Sequence, residues 1–186
     1  MNNVIIDLET LGVRAGCVVL SVGLARFDLG GVHETYYAEI NRQTCLNTGL
    51  TIDYETLNWW ERQADNAILS RTAGAAGLAL ADVLTEVAAF CHTMTARYKE
   101  DVAVWGNGAD FDLPILQAAY VACGFRAAPW RPHQGRCYRT LKNLFPGVQA
   151  VKTRTDHHNA LADATWQAHH AIELLRAAGV GEVGRG

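Results

Sequence analysis

The chain has 186 residues, 49% hydrophobic and 19% charged, which excludes a disordered polymer and suits one domain with a sizeable core. Its net charge of −3 argues against a tight, sequence-independent duplex binder, though not against a protein that grips a chain end through metal ions. No apolar run reaches the roughly 18 residues of a membrane span, and the N-terminus has no basic-then-apolar pattern. A soluble cytoplasmic protein is therefore expected. The five scattered cysteines form no Cys-x-x-Cys pair, which argues against a zinc site or a disulfide framework.

The chain reads as one α/β unit without repeats, a domain over residues 1–179 followed by a Gly-rich, frayed tail over 180–186. Val4 to Glu9 reads as a strand, Cys17 to Phe27 as a second and Val32 to Ile40 as a third. The turn signal Asp28-Leu29-Gly30-Gly31 makes the last two an antiparallel hairpin. Ile52 to Leu69 and Gly77 to Tyr98 have helical spacing, and Val102 to Trp105 is a short buried strand. Phe111 to Cys123 is a helix that tolerates Pro114 in its first turn. Leu161 to Ala177 is the last long helix, stopped by Gly179.

Three short motifs carry chemistry. Asp7 and Glu9 stand two apart on a strand, so their side chains share a face. Two adjacent carboxylates repel, and a divalent cation between them removes that cost. The second motif, Asn107-Gly108-Ala109-Asp110-Phe111-Asp112, follows a buried strand and opens a helix, where both Asp110 and Asp112 are candidates. One of them also suits the positive end of that helix. The third is His158-x4-Asp163. If both residues were helical, their side chains would point about 140° apart. His158 is therefore expected on the loop before the helix, and Asp163 near its first turns. An imidazole there suits a general base at neutral pH. Arg126, Arg131, Arg136, Arg139 and Lys142 are clustered, with Lys152 and Arg154 just before His157, and read as a solvated basic face.

In order and combination these motifs resemble the DEDDh group of 3'–5' exonucleases, the DnaQ-like branch of the ribonuclease H-like fold, from residue 4 to about residue 176. The segments Thr56 to Gln63 and Arg136 to Thr140 are similar to ones in phage DexA-type exonucleases, exonuclease VIII-like domains and a related bacterial exoribonuclease branch. The resemblance implies an α/β fold with a central five-stranded mixed sheet, its first three strands antiparallel, flanked by helices. It implies that Asp7, Glu9, Asp112 and Asp163 hold two Mg²⁺ or Mn²⁺ ions, with His158 as general base. Phe111-Asp112 matches the family's Phe-Asp pair and selects Asp112 over Asp110. The implied substrate is the 3' end of single-stranded DNA or RNA, released as nucleoside 5'-monophosphates. Thr10, Leu11, Arg14 and Asn107 lie in or beside the motifs and are expected near the terminal nucleotide, and Trp59 and Trp60 are candidates to stack on its base, the alternative for each being to pack its helix onto the sheet. Many members of the group are homodimers, although no feature of this sequence fixes the oligomeric state.

Two other readings share these residues. A catalytically silent nucleic-acid-binding module would not need all five motif positions filled. A ribonuclease H-like endonuclease would need the metals but not His158-x4-Asp163.

Overall fold

The computed structural model describes residues 2–63, 66–74, 76–98, 102–150 and 158–180. Its centre is a five-stranded sheet in the order β3-β2-β1-β4-β5. Strands β1 (Asn2–Thr10), β2 (Val19–Asp28) and β3 (Gly31–Glu39) form an antiparallel meander. Strands β4 (Val102–Gly106) and β5 (Gly135–Cys137) continue the sheet parallel to β1. β1 lies between β2 and β4 and is buried along its whole length, which explains its near-continuous apolar run. Asn3 is tolerated there because its Oδ1 accepts a hydrogen bond from Trp105 Nε1 at 3.0 Å.

The helices are α1 (Arg42–Asn47), α2 (Tyr54–Glu61), α3 (Ala67–Ala73), α4 (Leu80–Tyr98), α5 (Asp112–Ala122), α6 (Tyr138–Leu144) and α7 (Ala160–Ala177). One apolar cluster joins Ile6, Leu8, Val22 and Leu24 to Trp60, Val83 and Leu116 on one face of the sheet. A second joins Ile5, Ala25 and Trp105 to Ala164, Ala168 and Ala171 of α7 on the other. The buried stripe of α7 carries four alanines, Ala160, Ala164, Ala168 and Ala171, which let this helix lie close to the sheet. Gly23 shows how close. A Cβ there would lie 2.3 Å from the carbonyl carbon of Ala160.

The structure refines several expected boundaries. The helix expected over Ile52 to Leu69 is two helices. α2 ends at Glu61, whose carbonyl accepts a 3.2 Å hydrogen bond from Asn66 Nδ2. The helix expected from Gly77 begins at Leu80, because Leu78 is bound to the end of β3 through its N–H to Glu39 and its carbonyl to the Asn41 N–H. α1 and α6 were not expected, and β5 is the fifth strand that the resemblance implies but that no sequence pattern located. Lys152, Arg154, His157 and residues 181–186 lie outside the described residues. Among the described residues, no helix is long and apolar enough to cross a membrane.

Candidate active site

The end of β1 delivers Asp7 and Glu9 to the face covered by α7, and the first turn of α7 delivers Asp163 opposite them. Each of the three offers a carboxylate oxygen, all within 4.8 Å of one another. The N-terminus of α7 is fixed by Asn159, whose Oδ1 accepts the Ala162 N–H at 3.0 Å. One turn beyond Asp163, Gln167 donates from Nε2 to Asp7 Oδ1 at 2.6 Å.

Asp112 enters from the β4 side. The β1–β4 ladder runs only to Ile5 and Trp105, so the N–H groups of β1 beyond it need other acceptors. Asp112 Oδ1 accepts the Leu8 N–H at 3.2 Å, and Oδ2 accepts the Asn107 N–H at 2.6 Å. Gly106 leaves the space, since a Cβ there would lie 3.1 Å from Asp112 Oδ2.

Asp7, Glu9, Asp112 and Asp163 are all buried. Burial holds the Asp7 carboxyl well above its ordinary pKa, and the charges of Asp112, Asp163 and Glu9 raise it further, against a smaller lowering by Gln167. Burial pushes Asp112 up to about 6, against the lowering effects of the Asn107 and Leu8 N–H groups, its own N–H and the Arg139 charge. Such a cluster of buried acids favours either protonation or a cation. All-oxygen donors of this kind fit a hard divalent cation.

His158 lies on the turn before α7, in the left-handed region at φ 60. Its ring meets Trp59 edge to face at 4.9 Å and Trp60 at 5.6 Å between centroids. These two tryptophans, with Leu8, Glu9, Thr10, Val13 and Phe111, line a cavity of about 480 Å³ at the end of β1.

The family model of the 3'-5' exoribonuclease Rv2179c-like domain matches residues 2–175. The chain belongs to this family. Members of the Rv2179c-like family are 3'–5' exonucleases, and the fold is that of DEDDh nucleases. The nuclease domain of 3'hExo bound to rAMP matches with a TM-score of 0.64 at 11% identity, over 96% of this chain and 94% of that one. Exonuclease X in complex with 5' overhanging duplex DNA matches with a TM-score of 0.57 at 17% identity, over 95% and 93%. Cell-death related nuclease 4 matches with a TM-score of 0.52 at 13% identity, over 97% of this chain and 64% of that one. At these identities the likeness is one of fold. No curated protein matches the chain.

Within this Rv2179c-like domain the remaining expected site residues divide. Trp59 is 43% exposed in the cavity, whereas Trp60 is buried and donates from Nε1 to the Thr10 carbonyl at 2.9 Å. Trp60 is thus anchored in the core at the cavity wall, and Trp59 is the more exposed of the pair. Thr10 lines the cavity, but its hydroxyl is bound to the Gly12 carbonyl at 2.6 Å. Leu11 has a fully buried side chain, and its N–H and carbonyl bind Val18 and Asp53. Arg14 is exposed on the next loop, lining a separate hollow with Gly12, Thr51 and Asp53. Asn107 holds Asp112 through its N–H, and its carbonyl accepts from Arg139.

Sequence reasoning missed Gln167 and Gly23. Gln167 stands four residues after Asp163 on the buried stripe of α7, a spacing that puts both on one face. Gly23 is the cross-strand partner of Asp7, and no local signal distinguishes it from any other glycine in a strand.

Proposed function

We propose that this chain removes nucleoside 5'-monophosphates one at a time from the 3' end of single-stranded nucleic acid. Asp7, Glu9, Asp112 and Asp163 would hold two Mg²⁺ or Mn²⁺ ions, and His158 would act as general base. RNA is the favoured substrate because the family's description names an exoribonuclease. The observation that carries the reading is the meeting of Asp7, Glu9 and Asp163 within 4.8 Å in a buried acidic cluster that Asp112 joins through Leu8.

Bound divalent ions supply Lewis acidity at the phosphodiester and make a bound water a better nucleophile. The protein supplies position and proton transfer. Gln167 binds Oδ1 of Asp7, and the Leu8 and Asn107 N–H groups bind the two oxygens of Asp112, so both carboxylates are held in a set orientation. A ring nitrogen of His158 takes the proton of the attacking water. Attack forms a new P–O bond and breaks the bond to the preceding 3' oxygen, which takes a proton from solvent. The released product carries a 5'-phosphate. Trp59 offers an exposed aromatic face for the last base at the cavity mouth, a contact that tolerates any sequence.

Incubation with unlabelled single-stranded RNA tests the reading. Chromatography should find nucleoside 5'-monophosphates with Mg²⁺ or Mn²⁺ and none with EDTA. Internal fragments would indicate an endonuclease, and retention of uncut RNA a binding module; either result would overturn the proposal.

A further inference from the structure

The segment Arg136 to Thr140 has no part in the chemistry above, yet β5 brings it to the same end of the sheet. β1, β4 and β5 are parallel, so their C-terminal ends lie together. In spatial order they lead to Asp7 and Glu9, then to Asn107 and Asp112, then to Arg139. Arg139 Nη2 donates to the Asn107 carbonyl at 2.8 Å, and the Asn107 N–H donates to Asp112 at 2.6 Å. A Cβ on Gly108 would lie 3.7 Å from Cζ and Nη1 of Arg139, so the guanidinium rests across the glycine backbone. The residue is exposed, and the bond to Asn107 uses one of its several N–H donors. Arg136 differs. Its Nη1 turns back onto the carbonyls of His133 and Gly135.

We propose that Arg139 binds the phosphate immediately upstream of the scissile one, so that the strand runs from the Trp59 cavity across the carboxylates toward the β5 edge. This rests on the exonuclease reading and adds a direction and a contact to it. A guanidinium fork suits a phosphate, and the Asn107 tether pre-orients it.

The test uses two single-stranded dodecamers in the sugar series that the enzyme cleaves faster. One is all phosphate. The other carries a neutral methylphosphonate at the linkage just upstream of the scissile bond. Release of the first nucleotide is followed for wild type, R139A and R136A. Wild type should lose about tenfold or more in kcat/KM on the neutral strand, the scale of one charge-assisted contact, while R139A should treat both strands alike within about twofold. R136A should discriminate as wild type does. The ratio cancels any general damage that R139A does through Asn107 and Asp112. Wild-type discrimination retained in R139A would overturn the proposal, as would equal rates on both strands for wild type. Failure of wild type to cleave the all-phosphate strand would instead overturn the exonuclease reading, and this inference with it.

Discussion

Asp112 Oδ1 accepts a hydrogen bond from the Leu8 N–H, the main-chain group between Asp7 and Glu9. One side chain therefore extends the β1–β4 ladder past its last paired residues and also ties the acids of β1 to the start of α5. D112A should keep the fold, as judged by circular dichroism, and lower metal-dependent turnover by about a thousandfold or more, because ligand and alignment are lost together. Wild-type rates in D112A would remove Asp112 from the site.

The acidic cluster also sets how the metal-free protein responds to pH. The Asp112 carboxyl titrates near its ordinary 3.8 when unfolded and at about 6 when folded. Across that window the folded chain binds more protons, so stability falls as pH rises through it. Asp7 is raised in the same direction and adds to the loss. Thermal unfolding without metal should show Tm falling over this range, and Mg²⁺ should restore part of it at the alkaline end. D7N, which keeps an oxygen for Gln167, should stabilise the metal-free protein by about 1 kcal/mol and flatten the pH dependence. A Tm that rises with pH over the window would contradict the account.

Gly23 faces Asp7 across the β1–β2 ladder and touches the backbone of Ala160 at the start of α7. G23A would place a Cβ where Ala160 stands, and backbone cannot yield as a flexible side chain does. A loss of about 2–3 kcal/mol in denaturant unfolding is expected, with a fall in activity as Asp163 moves away from Asp7. A variant with unchanged stability and rate would mean that α7 is free to lift without consequence.

The two adjacent tryptophans should separate in mutagenesis. W59A removes an exposed face of the cavity and should raise KM with little change in Tm. W60F removes the Nε1 bond to Thr10 and should cost about 1–3 kcal/mol of stability through the unpaired buried carbonyl. The reverse assignment of effects would show that Trp60 is the one that meets substrate.

His158 should affect rate more than metal affinity. H158A is expected to lower kcat by about a hundredfold or more while Mn²⁺ affinity, measured by calorimetry, stays near that of wild type. Collapse of metal binding would make His158 a ligand.

What the sequence made legible followed from periodicity and motif order. The period-two spacing of Asp7 and Glu9 put them on one face, and the buried apolar run around them marked a central strand. The 140° argument separated His158 from the helix of Asp163, and in the structure His158 does lie on the turn ahead of α7. β5 was hidden because it is three residues, Gly135 to Cys137, too short to show alternation. α1 and α6, with six and seven residues, are likewise too short for a helical period to stand out. Gln167 and Gly23 act only through partners distant in sequence. Leu11 stands beside the first motif, but adjacency along the chain does not reveal that its side chain is fully buried.

The most direct test of the central claim is a time course on 5'-labelled single-stranded RNA and DNA of one sequence, with Mg²⁺ or Mn²⁺ and with EDTA. The account predicts a ladder shortening one nucleotide at a time from the 3' end, with RNA the faster substrate, and no shortening in EDTA or with D112A. Shortening that persists in EDTA, cuts within the strand, or two intact strands in the presence of metal would contradict it.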